Sequence, residues 1–217
     1  GVEPGKPALE LAKKVEASDG LRFKGLMGYE GHVVSVADTA ERTQKAGESM
    51  KLLIETKDLI ERSGLAVHVV SSGGSGTYNI SGPYPGVTEI QAGSYIFMDA
   101  HYRETGIEFN CALTLLATIV SLHLPDRIII DAGIKTISAD FGFPQVKGMK
   151  ELEVIGLNEE HGKIRTKTGK NSLKVGDKIE LVPSHGCTTI NLHDRYYAVR
   201  NGKVEAVFPI LARGKST

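Results

Sequence analysis

The sequence lacks several features that would assign it to common classes of protein. It has no tryptophan and only two cysteines, and its 26 basic residues balance its 26 acidic residues. The balanced charge provides no broad attraction to nucleic acid or to an anionic membrane. Two cysteines far apart in the chain do not form a disulfide framework, which favours a reducing cytoplasm. The longest apolar run, Cys111 to Leu124, is too short to span a bilayer, and the first twenty residues contain no signal peptide.

The first part of the chain alternates helical and strand-like segments. Apolar periodicity and helix-forming residues predict helices over residues 4–17 and 37–63. Short β-branched runs predict strands over residues 21–29 and 65–71 and a third within 88–98. This alternation indicates parallel strands joined by crossover helices, so we predict an α/β domain over residues 1–105.

After about residue 105 the pattern changes to short strands separated by turns. We predict strands within seven runs: 109–124, 127–131, 152–157, 163–168, 178–182, 195–200 and 203–207. Asn201-Gly202 between the last two runs is a typical hairpin turn. Residues 106–217 are therefore predicted to form a mostly antiparallel β domain.

Three strands are too few for a complete parallel sheet. An open three-stranded sheet would leave two exposed edges, and a closed (β/α)8 barrel needs about eight units and about 250 residues. The chain also begins with Gly1 rather than methionine. We expect it to be the C-terminal part of a longer protein, or to receive the missing strands from another chain.

The segment Pro183 to Asp194 contains the most reactive side chains. It follows the strand-like run 178–182, and residues two apart in an extended backbone point to the same side. His185 and Cys187 would then direct an imidazole and a thiolate at one point, which is half of a tetrahedral zinc site. Open positions would suit a metal that contacts substrate. The alternative is a buried thiol beside an unrelated histidine.

Two small-residue loops are candidates for binding phosphate. Residues 71–77 run from a strand into Gly73-Gly74-Ser75-Gly76, where backbone N–H groups could approach an anion closely. A short helix beginning near Ser75 would add its dipole. Residues 91–95 form the second loop, and two such loops on successive parallel strands could converge on one phosphate. The alternative for the first loop is a flexible connection.

Taken together, these segments resemble the D-threonine aldolase / D-serine dehydratase family. The matching segments occur in the family's order over nearly the whole chain. They are Gly20–Leu26, Tyr29–His32, Ser71–Thr77, Ala92–Asp99, Pro183–Cys187, Asn191–Asp194 and Phe208–Gly214. The resemblance implies part of a (β/α)8 barrel of the alanine-racemase fold followed by an antiparallel β domain. It also implies a homodimer with its active site near the domain interface.

The resemblance further implies pyridoxal phosphate as cofactor and a divalent metal, with zinc favoured because Cys187 is a thiolate ligand. By analogy, the cofactor phosphate would be held by Gly74, Ser75, Gly76, Gly93 and Ser94, the cofactor ring by Tyr29 and Tyr95, and the metal by His185 and Cys187. The dehydratase branch carries His-x-Cys at the metal site and the aldolase branch usually carries His-x-Asp. The expected activity is dehydration or aldol cleavage of a D-β-hydroxy amino acid.

One expected residue is absent from the sequence. The family's Schiff-base lysine precedes every segment seen here, and no lysine of this chain has its context. A catalytically incomplete fragment, or a module that binds the cofactor without covalent attachment, is therefore an alternative. An amino-acid racemase, which would use a paired base instead of a metal, is the third possibility.

Overall fold

The structure is a computed structural model that describes residues 1–124, 126–169 and 171–215. The chain divides into two compact units. The first contains Gly1–Tyr95 with Glu104–Ile107, and the second contains Ile96–Arg103 with the residues from Glu108 onward. In the part of the chain that the structure describes, no helix is both long and apolar enough to cross a membrane.

The first unit is built on a three-stranded parallel sheet. Its elements in chain order are α1 (Lys6–Glu16), β1 (Gly25–Met27), α2 (Thr39–Arg62), β2 (Val69–Ser72), α3 (Tyr78–Ser81) and β3 (Glu89–Ile90). The strands lie in the order β1-β2-β3 and both pairs are parallel, as the alternating sequence pattern predicts. Buried apolar side chains of the two long helices and of β2 form its core: Leu9, Ala12, Met50, Leu53, Ile60 and Val70.

The long helix α2 has a capped start. The Asp38 side chain accepts a hydrogen bond from the Glu41 backbone N–H at 2.7 Å, and Glu41 itself lies in the first turn. A carboxylate at this position satisfies a helix N–H that otherwise lacks a partner and interacts favourably with the helix dipole. The predicted helix over residues 37–63 is therefore confirmed with boundaries shifted by one or two residues.

The second unit is predominantly antiparallel β structure, as predicted. Its elements are α4 (Ala100–Arg103), β4 (Leu115–Leu124), β5 (Arg127–Ile130), β6 (Gln145–Val146), β7 (Leu152–Leu157), β8 (Gly162–Thr166), β9 (Lys178–Val182), α5 (Gly186–Ile190), β10 (Arg195–Arg200) and β11 (Lys203–Pro209). Six strands form one sheet in the order β6-β9-β4-β5-β8-β7. The edge strands β6 and β7 contact each other, so this sheet is nearly closed. Its interior is filled by isoleucine, leucine, valine and alanine side chains from all of these strands.

The remaining two strands, β10 and β11, form the predicted hairpin. Arg200 pairs with Lys203, and the two turn residues between them have positive φ, 50° at Asn201 and 73° at Gly202. These are the backbone angles that a type I′ turn requires and that Asn-Gly adopts readily.

Two predicted strands are much shorter than the sequence indicates. The first is limited to Gly25–Met27, and the third to Glu89–Ile90, after which Ser94–Ile96 forms a 3₁₀ turn instead of extended chain. The backbone N–H of Gln91 is shared between the carbonyls of Ser72 and Gly73, which ends the parallel ladder. The apolar residues that follow belong to a turn, so their hydrophobicity alone was misleading.

Candidate functional site

The glycine-rich segment predicted to hold phosphate follows β2 and is buried from Ser71 to Thr77. The Ser75 Oγ accepts a hydrogen bond of 2.8 Å from the Tyr95 backbone N–H. Gly93 and Ser94 immediately precede Tyr95, so this contact joins the two loops of the first unit that the sequence predicts to converge. Gly93 itself is exposed and Ser94 half-buried.

Two glycines of this loop lie close to their neighbours, Gly76 against backbone and Gly74 against a side chain. A Cβ on Gly76 would lie 2.3 Å from the Val34 carbonyl oxygen, and a Cβ on Gly74 would lie 2.8 Å from the Tyr29 hydroxyl. The Tyr29 ring therefore lies directly against the loop. Tyr29 remains 46% exposed and Tyr95 43% exposed.

The loop contains backbone donors that the protein does not satisfy. Among the described residues, the N–H groups of Ser75 and Gly76 find no acceptor, whereas those of Gly73 and Gly74 donate to Glu30 and Thr77. Buried backbone N–H groups are almost always paired, so this pair requires an acceptor from outside the chain. The Ser75 hydroxyl, which accepts from Tyr95, retains its own proton for donation. Adjacent donors of this kind fit a phosphate oxygen.

Glu30 is the buried residue that holds this loop, and the sequence analysis gave it no role. Its carboxylate accepts hydrogen bonds from four donors of the surrounding strands, loop and α3: Ser72 Oγ at 2.7 Å, Gly73 N at 3.1 Å, Ser81 Oγ at 2.5 Å, and Thr77 Oγ1. Burial alone would raise the pKa of Glu30, but the hydrogen bonds from Ser81, Thr77 and Ser72 outweigh burial and lower it. Glu30 is therefore an ionised carboxylate at the centre of the loop.

The helix expected near Ser75 begins later. Thr77 is the N-cap residue and α3 covers only Tyr78–Ser81. Because this helix has a single turn, its dipole adds little to anion binding. The amides of Ser75 and Gly76 that lack a partner among the described residues therefore belong to the loop and not to a helix N-terminus.

The predicted metal ligands lie in the second unit, at the turn after β9. His185 has an extended backbone with φ −139° and ψ 118°, as expected, but it is the N-cap of α5, and Cys187 lies inside that helix. The prediction of continuous extended chain is wrong, so strand alternation does not direct the two side chains to one point. The chain turns from extended to helical at this point. The Gly186 N–H donates to the Asp99 carboxylate at 2.9 Å, and the Thr189 N–H donates to the His185 carbonyl at 3.4 Å.

The His185 ring is held by a carboxylate and an aromatic ring. Its Nδ1 lies 2.6 Å from Asp140 Oδ2, and the Phe141 ring stacks on it at 4.3 Å between centroids with 9° between planes. Asp140 also accepts from Ser138 Oγ at 2.5 Å and Thr188 Oγ1 at 3.1 Å. Burial would raise the pKa of Asp140, but the hydrogen bonds from Ser138, His185 and Thr188 lower it to about 2. Asp140 is thus ionised at neutral pH.

Cys187 is exposed, whereas Cys111 is half-buried and its Sγ lies 3.5 Å from the Asp99 carbonyl oxygen. Burial raises the pKa of Cys111, so it remains a thiol. Within the described residues, no group of three or more His, Cys, Asp or Glu side chains could hold a metal. The donor set predicted here has two members, an imidazole and a thiol, which suit zinc with open coordination positions.

Sequence reasoning missed Glu30, Asp99, Asp140 and Phe141 as contributors to these sites. Glu30 lies within the motif Tyr29–His32, so the motif could have indicated that Glu30 contributes to the site. Asp99 ends the motif Ala92–Asp99, and nothing in the local pattern indicates its contact with Gly186. Asp140 lies 45 residues before His185, and nothing in the local pattern indicates their contact.

Comparison with known proteins places these observations in a family context. Residues 112–199 match the family described as "Putative serine dehydratase domain". The chain is 38% identical to the 3-hydroxy-D-aspartate aldolase of Paracoccus denitrificans, over 99% of this chain and 57% of that protein. The crystal structure of D-threonine aldolase from Filomicrobium marinum matches with a TM-score of 0.95 and 32% identity, over 100% of this chain and 61% of that one.

More distant structures share the fold. A D-threo-3-hydroxyaspartate dehydratase mutant in the metal-free form matches with a TM-score of 0.79 and 25% identity, over 88% of this chain and 57% of that one. The alanine racemase of Clostridium difficile 630 matches with a TM-score of 0.59 and 14% identity, over 96% of this chain and 62% of that one. These matches confirm the predicted likeness to the alanine-racemase fold. The chain spans somewhat more than half the length of the aldolases and dehydratases that it matches.

Proposed function

Because this chain belongs to the family of D-threonine aldolases and D-serine dehydratases over the part that it spans, we propose that it forms the phosphate- and metal-binding portion of a lyase. The lyase depends on pyridoxal phosphate and a divalent metal and acts on a D-β-hydroxy amino acid. D-Serine, D-threonine and 3-hydroxyaspartate are the candidate substrates.

The observation that carries the proposal is the buried loop with unpaired donors. The amides of Ser75 and Gly76 and the Ser75 hydroxyl bind the cofactor phosphate, with Gly74, Gly93 and Ser94 completing the loops and Tyr29 and Tyr95 lining the ring. The absence of side chains at Gly74 and Gly76 lets the loop pack closely against Tyr29 and Val34, which fixes the direction of its N–H groups. When bound, pyridoxal phosphate supplies the electron sink for bond cleavage in the amino acid.

His185 and Cys187 hold the metal in this proposal. The imidazole offers its Nε2 because Nδ1 faces Asp140, and the exposed thiol of Cys187 is accessible to a cation. A zinc ion held there would polarise the β-hydroxyl of the substrate as a Lewis acid. Two protein ligands leave coordination positions for that hydroxyl.

Aldol cleavage is the first choice of reaction, since the aldolase relatives have the higher identities, 38% and 36%, against 29% and 26% for the dehydratases. Cys187 favours dehydration instead, because His-x-Cys is the dehydratase pattern implied by the sequence resemblance. D-Threonine distinguishes the two reactions. Aldol cleavage yields glycine and acetaldehyde, whereas dehydration yields 2-oxobutanoate and ammonia.

The test uses D-threonine, pyridoxal phosphate and zinc with the 217-residue chain. The chain is assayed alone and mixed with the segment of the Paracoccus relative that it does not cover. Acetaldehyde and 2-oxobutanoate are measured by separate NADH-coupled assays. We expect acetaldehyde from the mixture and its loss in Cys187→Ala. Turnover that survives complete removal of metal would contradict the metal-dependent mechanism.

A module without covalent chemistry is the second candidate, since no lysine of this chain has the family's context. Pyridoxal phosphate is added to the mixture of the chain and the Paracoccus segment and reduced with borohydride, and mass spectrometry of the two polypeptides separates the candidates. A cofactor adduct on a lysine of either polypeptide supports the enzyme. Cofactor binding without any adduct supports the module.

A partner that covers β1 is part of the proposal. In the described residues β1 pairs only with β2, and a groove of about 600 Å³ lies over it between α1 and α2. Leu11, Met27 and Leu52 line this groove with large exposed surfaces. We propose that it receives further strand and helix from the rest of the barrel, supplied by the same protein or another chain, in an assembly that is a homodimer. Binding of the Paracoccus segment, and its loss in Met27→Glu, would support this, and a monomer that binds no such segment would contradict it.

A further inference from the structure

The His185 side chain is half-buried and is held by an ordered set of polar and aromatic contacts. The Asp140 carboxylate lies at its Nδ1 with 2.6 Å between heavy atoms, and this carboxylate is itself held by the hydroxyls of Ser138 and Thr188. Ser138 is further held by its backbone N–H, which donates to the Thr189 hydroxyl at 3.2 Å. Asp140 is therefore anchored to α5 through hydroxyls rather than free to rotate.

The Phe141 ring restricts the imidazole of His185 by stacking on one face of it. It is parallel to the His185 ring within 9° at 4.3 Å, and it also contacts the His101 ring at 4.8 Å. The stacked ring opposes rotation of the imidazole about its Cβ–Cγ bond. The hydrogen bond to Asp140 opposes the 180° rotation about the same bond that would exchange Nδ1 with Cδ2.

The hydrogen bonds of Asp140 indicate which nitrogen of His185 carries the proton. The carboxylate accepts from the Ser138 and Thr188 hydroxyls at Oδ1, and the Nδ1 of His185 donates to Oδ2. In the neutral imidazole the lone pair then lies on Nε2, on the opposite side of the ring. A nitrogen with a free lone pair and fixed direction is the arrangement that a metal ligand requires.

We propose that Asp140 is a positioning residue, which with Phe141 holds His185 in the tautomer and orientation that present Nε2 to a divalent metal. This inference rests on the proposed metal site and adds two residues to it. Asp140 does not contact the metal in this arrangement. Its role is to raise the affinity of His185 for the ion, because a carboxylate on the distal nitrogen makes an imidazole a better and better-oriented ligand.

The test measures zinc affinity and the tautomer separately. Zinc dissociation constants are determined by competition with a chromophoric chelator for the wild-type 217-residue chain and for Asp140→Ala, Asp140→Asn and His185→Ala. Glu160→Gln is the matched control, because Glu160 is also an exposed carboxylate of the second unit, paired with Lys135 at 3.0 Å. Nitrogen-15 correlation spectra of the imidazoles report the tautomer without metal.

We expect Asp140→Ala to weaken zinc binding about 10–100-fold, with a smaller loss in Asp140→Asn and less than a twofold change in Glu160→Gln. The spectra should show Nδ1–H on His185 in the wild type and a mixture of tautomers in Asp140→Ala. Asp140 is exposed, so the variants should fold, and amide spectra check this.

The outcomes separate this inference from the proposed function. Equal zinc affinity in the wild type and His185→Ala would overturn the metal site itself. A second outcome is that His185→Ala binds zinc more weakly than the wild type while Asp140→Ala and Asp140→Asn bind it equally well. That outcome would overturn only the positioning role of Asp140. An unchanged tautomer in Asp140→Ala would also overturn it.

Discussion

The Asp99 carboxylate accepts a hydrogen bond of 2.9 Å from the backbone N–H of Gly186, a residue 87 positions further along the chain. Its other oxygen accepts from the Tyr102 N–H at 2.9 Å. Asp99 is buried, and Gly186 stands between the two predicted metal ligands. One side chain thus fixes both the start of α4 and the turn that displays His185 and Cys187.

The first prediction concerns Asp99→Asn. An amide keeps only one acceptor oxygen, so one of the two buried N–H groups loses its partner and faces an NH₂ group. We expect a loss of about 1–3 kcal/mol in the free energy of unfolding, measured by urea denaturation, together with weaker zinc binding. The control is Asp194→Asn, whose exposed ion pair with Arg213 should contribute less than about 1 kcal/mol. Equal stability of the two variants would contradict the structural role.

The second prediction compares two glycines of the phosphate loops. Gly76→Ala places a Cβ 2.3 Å from the Val34 carbonyl oxygen, whereas Gly93→Ala places one in open space. We expect Gly76→Ala to cost about 1–3 kcal/mol of stability and to abolish discrimination between pyridoxal phosphate and pyridoxal. Gly93→Ala should leave stability within about 0.5 kcal/mol. Fluorescence titration with both ligands measures the discrimination, and intact phosphate preference in Gly76→Ala would argue against this loop as the site.

The third prediction is a pH dependence that comes from Glu30. Its folded pKa is lowered, so its ionised form contributes stability that is fully present above the ordinary carboxyl value of 4.5 and is lost as the pH falls through the folded value. Glu30→Gln lacks this contribution. The stability difference between wild type and variant should therefore be largest near neutral pH and shrink below about pH 4. Urea denaturation from pH 7 to pH 3 measures it, and a difference that is constant with pH would exclude an ionised Glu30.

The fourth prediction concerns the choice of metal. Cys187→Asp replaces a soft thiolate by a hard carboxylate, so zinc affinity should fall by about tenfold or more while manganese affinity rises. Cys111→Ser is the matched control, since Cys111 is half-buried with a raised pKa and is not proposed as a ligand. Competition titrations with both metals measure the change. Loss of zinc binding in Cys111→Ser with retention in Cys187→Asp would reverse the assignment.

Much of the fold follows from local pattern in the sequence. The two long helices, the parallel sheet of the first unit, the antiparallel second unit and the Asn201-Gly202 hairpin all agree with it. These features depend on apolar periodicity and turn residues, which act over a few positions. The short strand Gln145–Val146 was missed because two residues provide no periodicity, and it exists only by pairing with β9.

The sequence by itself was sufficient to propose which residues carry the chemistry: the glycine–serine loops, the tyrosines and the His185–Cys187 pair. Tertiary structure alone decided how those residues are held. Glu30, Asp99 and Asp140 act on groups 42 to 87 positions away, through hydrogen bonds that leave no local signature. The helix that contains Cys187 also depends on a distant residue. The preceding strand favours extended chain, and the chain becomes helical where the Gly186 N–H donates to the Asp99 carboxylate. A buried carboxylate must be satisfied wherever the fold brings it, and only the fold determines which donors it meets.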